Sequence, residues 1–172
     1  MTEIALYISL VHILYYGYGL FLSSIIKAGR MTTNKDINIE RLRAYGVPIR
    51  TFDYSGKLWG FATLNTIHLN ERLLTTRARG KTDPYYALKW TFFHELYHVK
   101  NKHKLQSVLM RLWLSLSPLT LIIFPWWVTL IIYLGIVVII SRVLNRFEKE
   151  ANDYANEKLN ERNNEEKSKG VS

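Results

Sequence analysis

The chain contains no cysteine. Disulfides and thiolate ligands are therefore excluded, and any metal must be held by His, Asp or Glu. Charge is missing from two long stretches. Residues 4–26, IALYISLVHILYYGYGLFLSSII, contain no Asp, Glu, Lys or Arg, and neither do residues 112–141, LWLSLSPLTLIIFPWWVTLIIYLGIVVIIS. Acidic residues are scarce between them. Residues 27–104 carry fifteen Lys/Arg against six Asp/Glu, which accounts for the whole formal charge of +9; residues 142–172 balance at seven and seven. A length of 172 residues predicts one compact unit.

The uncharged stretches read as membrane segments. The first, 23 residues long, is enough to cross a bilayer as a helix. No basic region precedes it and no small-residue cleavage site follows it, which predicts a retained anchor rather than a cleaved signal peptide. His12, inside it, reads as a neutral side chain near the interface or against another helix. The second stretch would be about 45 Å long as one straight helix, against a hydrocarbon core of about 30 Å. Pro118 and Pro125 offer places to break it. Taken over residues 105–143, with Arg111 snorkelling, it accommodates two short spans or a re-entrant loop. The positive-inside rule puts the N-terminus outside and residues 27–104 in the cytoplasm. Lys100, Lys102 and Lys104 on one flank and Arg142 and Arg146 on the other both favour the cytoplasmic side, so the number of crossings between them is expected to be even. The basic charge then reads as topology and lipid contact, with no nucleic-acid partner expected.

Between the apolar blocks, GVPIRTFDYSGKLWGFAT reads as short strands joined by turns. Residues 66–70 (Thr66, Ile67, His68, Leu69 and Asn70) are expected to form an edge strand. An edge strand can pair with an extended peptide, which makes them candidate substrate-binding residues. Asp83 and Pro84 suit a helix start, with the helix running to about residue 103.

That helix carries FFHELYHVKNKH, residues 92–103. Tyr85, Leu88, Phe92, Leu96 and Val99 form an apolar stripe. His94 and His98 fall on the opposite side, one turn apart, where both imidazoles can face one ion. Glu95, turned by about 100° from His94, stands where a general base for a metal-activated water belongs. His103 falls on the stripe side and is not counted as a ligand.

A catalytic zinc site needs a third protein ligand. In RVLNRFEKEANDYANEKL, residues 142–159, a helix would carry Leu144, Phe147, Ala151, Ala155 and Leu159 on one stripe. Glu148 interrupts that stripe. An unpaired carboxylate there is costly, and a metal would neutralise it; a salt bridge to a lysine is the plainer reading. Asn152, one turn on, could orient a ligand histidine. For His98 and Glu148 to meet, the chain must leave and return on one side of the membrane, which a hairpin or re-entrant loop at 105–143 permits.

HELYHVKNKH, a membrane hairpin and SRVLNRFEKEANDYA together resemble the HtpX-like and CAAX-prenyl-endopeptidase-like membrane zinc peptidases, over about residues 60–160. EKEANDYA is more weakly similar to the ImmA/IrrE-like peptidases. The resemblance implies an α+β fold with a small gluzincin-like catalytic unit, in which a short sheet, the HExxH helix and a third-ligand helix accompany the N-terminal transmembrane helix and a hydrophobic hairpin. It implies Zn²⁺ on His94, His98 and Glu148, catalysis by Glu95, and cleavage of membrane or membrane-associated proteins from the cytoplasmic side of the cell membrane. Tyr97 stands where glycine is usual and Asn152 where aspartate is usual. The expected organisation is an anchor at 4–26, a cytoplasmic catalytic part at 27–104, the hairpin at 105–143, the third-ligand helix at 144–162 and a flexible tail at 163–172. Tyr97 and Tyr154 are candidate oxyanion donors by residue type. A degenerate, non-hydrolytic zinc site on a membrane-anchored regulatory or binding protein is the alternative.

Overall fold

The computed structural model describes residues 3–15, 31–32, 39, 42–53, 58–76, 83 and 85–168. The chain is mixed α and β, and it divides into two compact units rather than one. Each is built from two separated stretches: Met1–Gly29 with Leu105–Arg146, and Arg30–Lys104 with Phe147–Ser172. Residues 16–26 of the expected anchor lie outside the described residues, as do Pro84 and most of the basic loop before it.

The first unit is apolar and helical. Helix α1 spans Glu3–Tyr15. The apolar block breaks at both prolines. Helix α3, His103–Leu116, passes into a 3-10 turn at Ser117–Ile122 with Pro118 in its first positions, and α4 begins at Trp126, directly after Pro125. Two helical stretches, His103–Ile122 and Trp126–Arg162, are long and apolar enough to cross a membrane. Many of their large apolar side chains are exposed, among them Trp113, Ile122, Trp126 and Ile131. His12 is tied between helices: Nδ1 lies 3.0 Å from the Ile8 carbonyl oxygen and Nε2 lies 3.3 Å from the Tyr133 hydroxyl.

The second unit holds a four-stranded sheet. Its strands are β1 (Met31–Thr32), β2 (Ile49–Phe52), β3 (Gly60–Ala62) and β4 (Ile67–Asn70), in the order β1-β2-β4-β3. β2 pairs with β4 in parallel, Ile49 opposite Ile67; β3 pairs with β4 antiparallel, Phe61 opposite His68. Helix α2, Tyr86–Lys100, packs across β3 and β4. Asp83 prepares its start by accepting the Tyr85 amide at 2.8 Å and by bonding Lys89. Ile49, Ile67 and Leu69 from the sheet meet Leu88, Phe92, Phe93 and Leu96 from α2, with Ala155 and Leu159 of α4 completing the core.

The helix ends earlier than its apolar pattern predicts. Asn101 caps it, and Lys102 takes a left-handed conformation with φ 53°. The Lys102 amide closes onto the Val99 carbonyl at 3.1 Å, as expected of a left-handed residue just past a helix end. At the other end of the chain, α4 runs on to Ser168, past the expected boundary at 162.

One glycine sets how closely α2 approaches the sheet. A Cβ added at Gly60 would lie 2.7 Å from the Thr91 methyl and 3.1 Å from the His68 carbonyl oxygen. Thr91 is buried and β-branched, so it has little freedom to yield. Gly60→Ala is therefore expected to destabilise the unit by about 1–3 kcal/mol, measured by urea unfolding; unchanged stability would show that the helix shifts freely on the sheet.

Candidate metal centre

The site lies where α2 meets the later part of α4. The contacts between them run in opposite order along the two helices. Trp90 Nε1 donates to Asn156 Oδ1 at 3.0 Å near the start of α2, and His94 and His98 face Glu148 and Tyr97 donates to Glu150 Oε2 at 3.2 Å near its end; His103, the first residue of α3, stacks on Phe147 with ring centroids 3.9 Å apart. The helices are therefore antiparallel here. Buried Ala151, Ala155 and Leu159 form the inward stripe of α4, with alanines at two of its turns keeping the approach close.

His94 and His98 project from successive turns of α2, each with its side chain only 12% exposed. Their Nε2 atoms lie 3.2 Å apart. Two ligands bound at 2.0–2.1 Å in a tetrahedral arrangement would be about 3.3 Å apart. The Glu148 carboxylate straddles the pair, with Oε2 3.4 Å from His94 Nε2 and Oε1 3.6 Å from His98 Nε2. With one donor atom from each residue, all three lie within 4.8 Å of one another, which is compact enough to hold a metal ion.

Charge at these histidines is suppressed. Burial lowers the pKa of His94, opposed by the nearby Glu148 carboxylate and by Asn152. Burial lowers His98 further, to about 4, with repulsion from His94 and His103 adding to it. At neutral pH both imidazoles are therefore neutral, the state in which a histidine can bind metal. Trp90 stacks on His94, centroids 5.1 Å apart and planes 24° from parallel. His98 turns its other nitrogen to His103, with 3.0 Å between the Nδ1 atoms.

The structure brings together His94, His98 and Glu148, with Asn152 close enough to act on the charge of His94. The buried Nδ1 of His94 nevertheless has no partner meeting hydrogen-bond geometry. Glu95, beside His94 on α2, is buried. Glu148 departs from expectation in one respect: its side chain is 62% exposed, so burial cost does not explain its place. Helical phase sets its direction towards the histidines, and the end of the carboxylate reaches solvent.

The expected edge strand is a central one. β4 is paired on both sides, and Ile67, His68, Leu69 and Asn70 are all buried. Its backbone is committed to β2 and β3, so it cannot receive a peptide. Its polar residues have internal roles: His68 stacks on Phe61 with centroids 4.4 Å apart, and Asn70 caps the following 3-10 turn by accepting the Arg72 amide. Among the described residues the sheet ends at β3 beside α2. Tyr97 directs its hydroxyl to Glu150 rather than to the histidines, and Tyr154 packs against the Tyr97 ring.

Sequence reasoning did not anticipate the contacts of Trp90, Glu150 and Asn156; it left His103 out of the ligand set, as the compact group does, but did not put it beside His98, where the structure places its ring. No protein-family model matches the chain, and no curated protein or solved structure matches it either.

The low pKa of His98 sets a pH dependence. Protons compete with a metal at His98 only as the pH approaches about 4. Affinity for a divalent cation, measured by titration against a chelator, is therefore expected to be nearly level from pH 7.5 to about 6.5 and to fall at lower pH, first as His94 protonates below its ordinary 6.5 and then as His98 does towards about 4. In the metal-free protein the unfolded chain protonates His98 near its ordinary value of 6.5, before the folded chain does. Its contribution to stability is thus lost as the pH falls from about 6.5 towards 4. An affinity loss centred on pH 6.5 would contradict the burial argument.

Proposed function

We propose that the chain is an integral membrane zinc metalloendopeptidase acting on membrane or membrane-associated proteins. The observation that carries this reading is the convergence of His94, His98 and Glu148 within 4.8 Å, with Glu95 next to the first of them on the same helix. Two imidazoles and a carboxylate make a donor set used by catalytic zinc, which keeps an open position for water or substrate. Zinc held there would polarise a peptide carbonyl and lower the pKa of water towards about 7. The exposed side of Glu148 leaves the site approachable from solvent. Glu95 takes the proton of the attacking water on its carboxylate and returns it to the departing amine. Asn152 steadies the His94 ring.

The substrate enters extended. The edge of β3, Gly60–Ala62, offers it a strand to pair with, and exposed Leu58 and Trp59 precede that edge. The two apolar helical stretches support residence in the bilayer. The 49 residues between His98 and Glu148 contain the whole apolar block, yet both ligands belong to one unit. That return supports an even number of crossings, with the basic flanks placing the site on the cytoplasmic side.

The reading is tested with the full chain purified in detergent. About one zinc per chain is expected, and Glu148→Ala should lose it. Glu95→Gln should keep the zinc and reduce cleavage of an unfolded protein substrate at least about 100-fold. Metal-free wild type would remove the reading; zinc-loaded but inactive wild type would favour a non-hydrolytic site.

A further inference from the structure

We infer that His103 is a positioning residue that selects the metal-binding tautomer of His98, an inference that rests on the metal centre proposed above. The Nδ1 atoms of the two rings are 3.0 Å apart. A contact between two neutral imidazole nitrogens holds one proton, so one ring donates and the other accepts. When His98 donates, its proton sits on Nδ1 and the lone pair on Nε2 faces His94 and Glu148. When His103 donates, His98 carries its proton on Nε2, which then points into the cluster and cannot ligate. His103 therefore serves the site by accepting at Nδ1 and keeping its own proton on Nε2.

The surroundings hold the His103 ring in the orientation this needs. One face lies flat on Phe147, centroids 3.9 Å apart and planes within 6° of parallel. Tyr97 meets it edge-on at 5.4 Å, and the residue is 6% exposed. Phe147 directly precedes Glu148, so the residue that backs His103 also leads into the third ligand. The backbone is shaped for the same end. An uninterrupted helix would turn position 103 about 140° away from position 98. Instead Lys102 adopts φ 53°, a conformation uncommon for a side chain of its size, and the two rings meet across this turn.

The test compares His103→Phe, which keeps a flat ring against Phe147 but offers no acceptor, with His103→Asn, whose amide oxygen can stand near the Nδ1 position. Zinc affinity is measured by chelator competition on the full chain in detergent, and ¹⁵N shifts of the imidazole nitrogens report the His98 tautomer in the zinc-loaded wild type. The expected result is a 10–100-fold loss of zinc affinity in His103→Phe, substantial recovery in His103→Asn, and His98 protonated on Nδ1 and bound through Nε2. Wild-type affinity in His103→Phe would overturn the inference while leaving the metal centre intact. Equal losses in the two variants would also overturn it, since packing alone would then account for the residue. Should His103→Phe fail to fold, the wild-type ¹⁵N spectrum still decides, because His98 bound through Nδ1 is incompatible with the proposal. Wild type that takes up no zinc overturns both this inference and the metal centre.

Discussion

The site depends on the close antiparallel contact between α2 and the alanine face of α4. Ala151 and Ala155 are fully buried and Leu159 nearly so. Glu148, on the turn before that face, reaches both histidines from there. Polar and aromatic contacts then fix the register on either side of it: Trp90 with Asn156, Tyr97 with Glu150, His103 with Phe147. Tyr97 has a physical role in this arrangement. Its hydroxyl reaches across to α4 and its ring packs on His103 and Tyr154. The larger side chain adds a bond between the helices that a glycine could not make.

Local periodicity made part of this legible in the sequence. The four-residue spacing of His94 and His98 fixes their shared face on any helix, and the alternating stripe of residues 144–159 points Glu148 towards the same side as Ala151. The prolines marked where the apolar block breaks. Depth was not legible, because a stripe gives an angle around a helix and says nothing of how far a long side chain reaches; Glu148 is exposed at its end for that reason. Strand order was hidden too. It is set by pairings distant in sequence, so β4 read as an edge when β2 and β3 enclose it. His103 was hidden by extrapolating a helix through Lys102. Lysine carries no local signal for a left-handed turn, where glycine would have announced one.

The apolar unit and the sheet unit obey different packing rules. In the sheet unit the large apolar side chains are buried between α2, α4 and the strands. In the other unit most of them are turned outward, and apart from Leu114 the buried positions among the described residues are small or polar, such as Ala5, Ser9, Ser115 and Thr129. Helices in lipid gain little by hiding leucine and associate through small residues and hydrogen bonds. The His12–Tyr133 contact is of this kind.

The absence of cysteine has a consequence for the choice of ion. Two imidazole nitrogens and one carboxylate form a borderline donor set, without the soft sulfur that would bias it towards particular metals. Across the first-row divalent ions, such a set follows the general order of affinity in which copper exceeds zinc. Ligand chemistry alone therefore gives this centre little power to refuse a competitor. Were the proposed centre loaded, supply would decide its metal: the ions free in its compartment when α2 and α4 first close on one another.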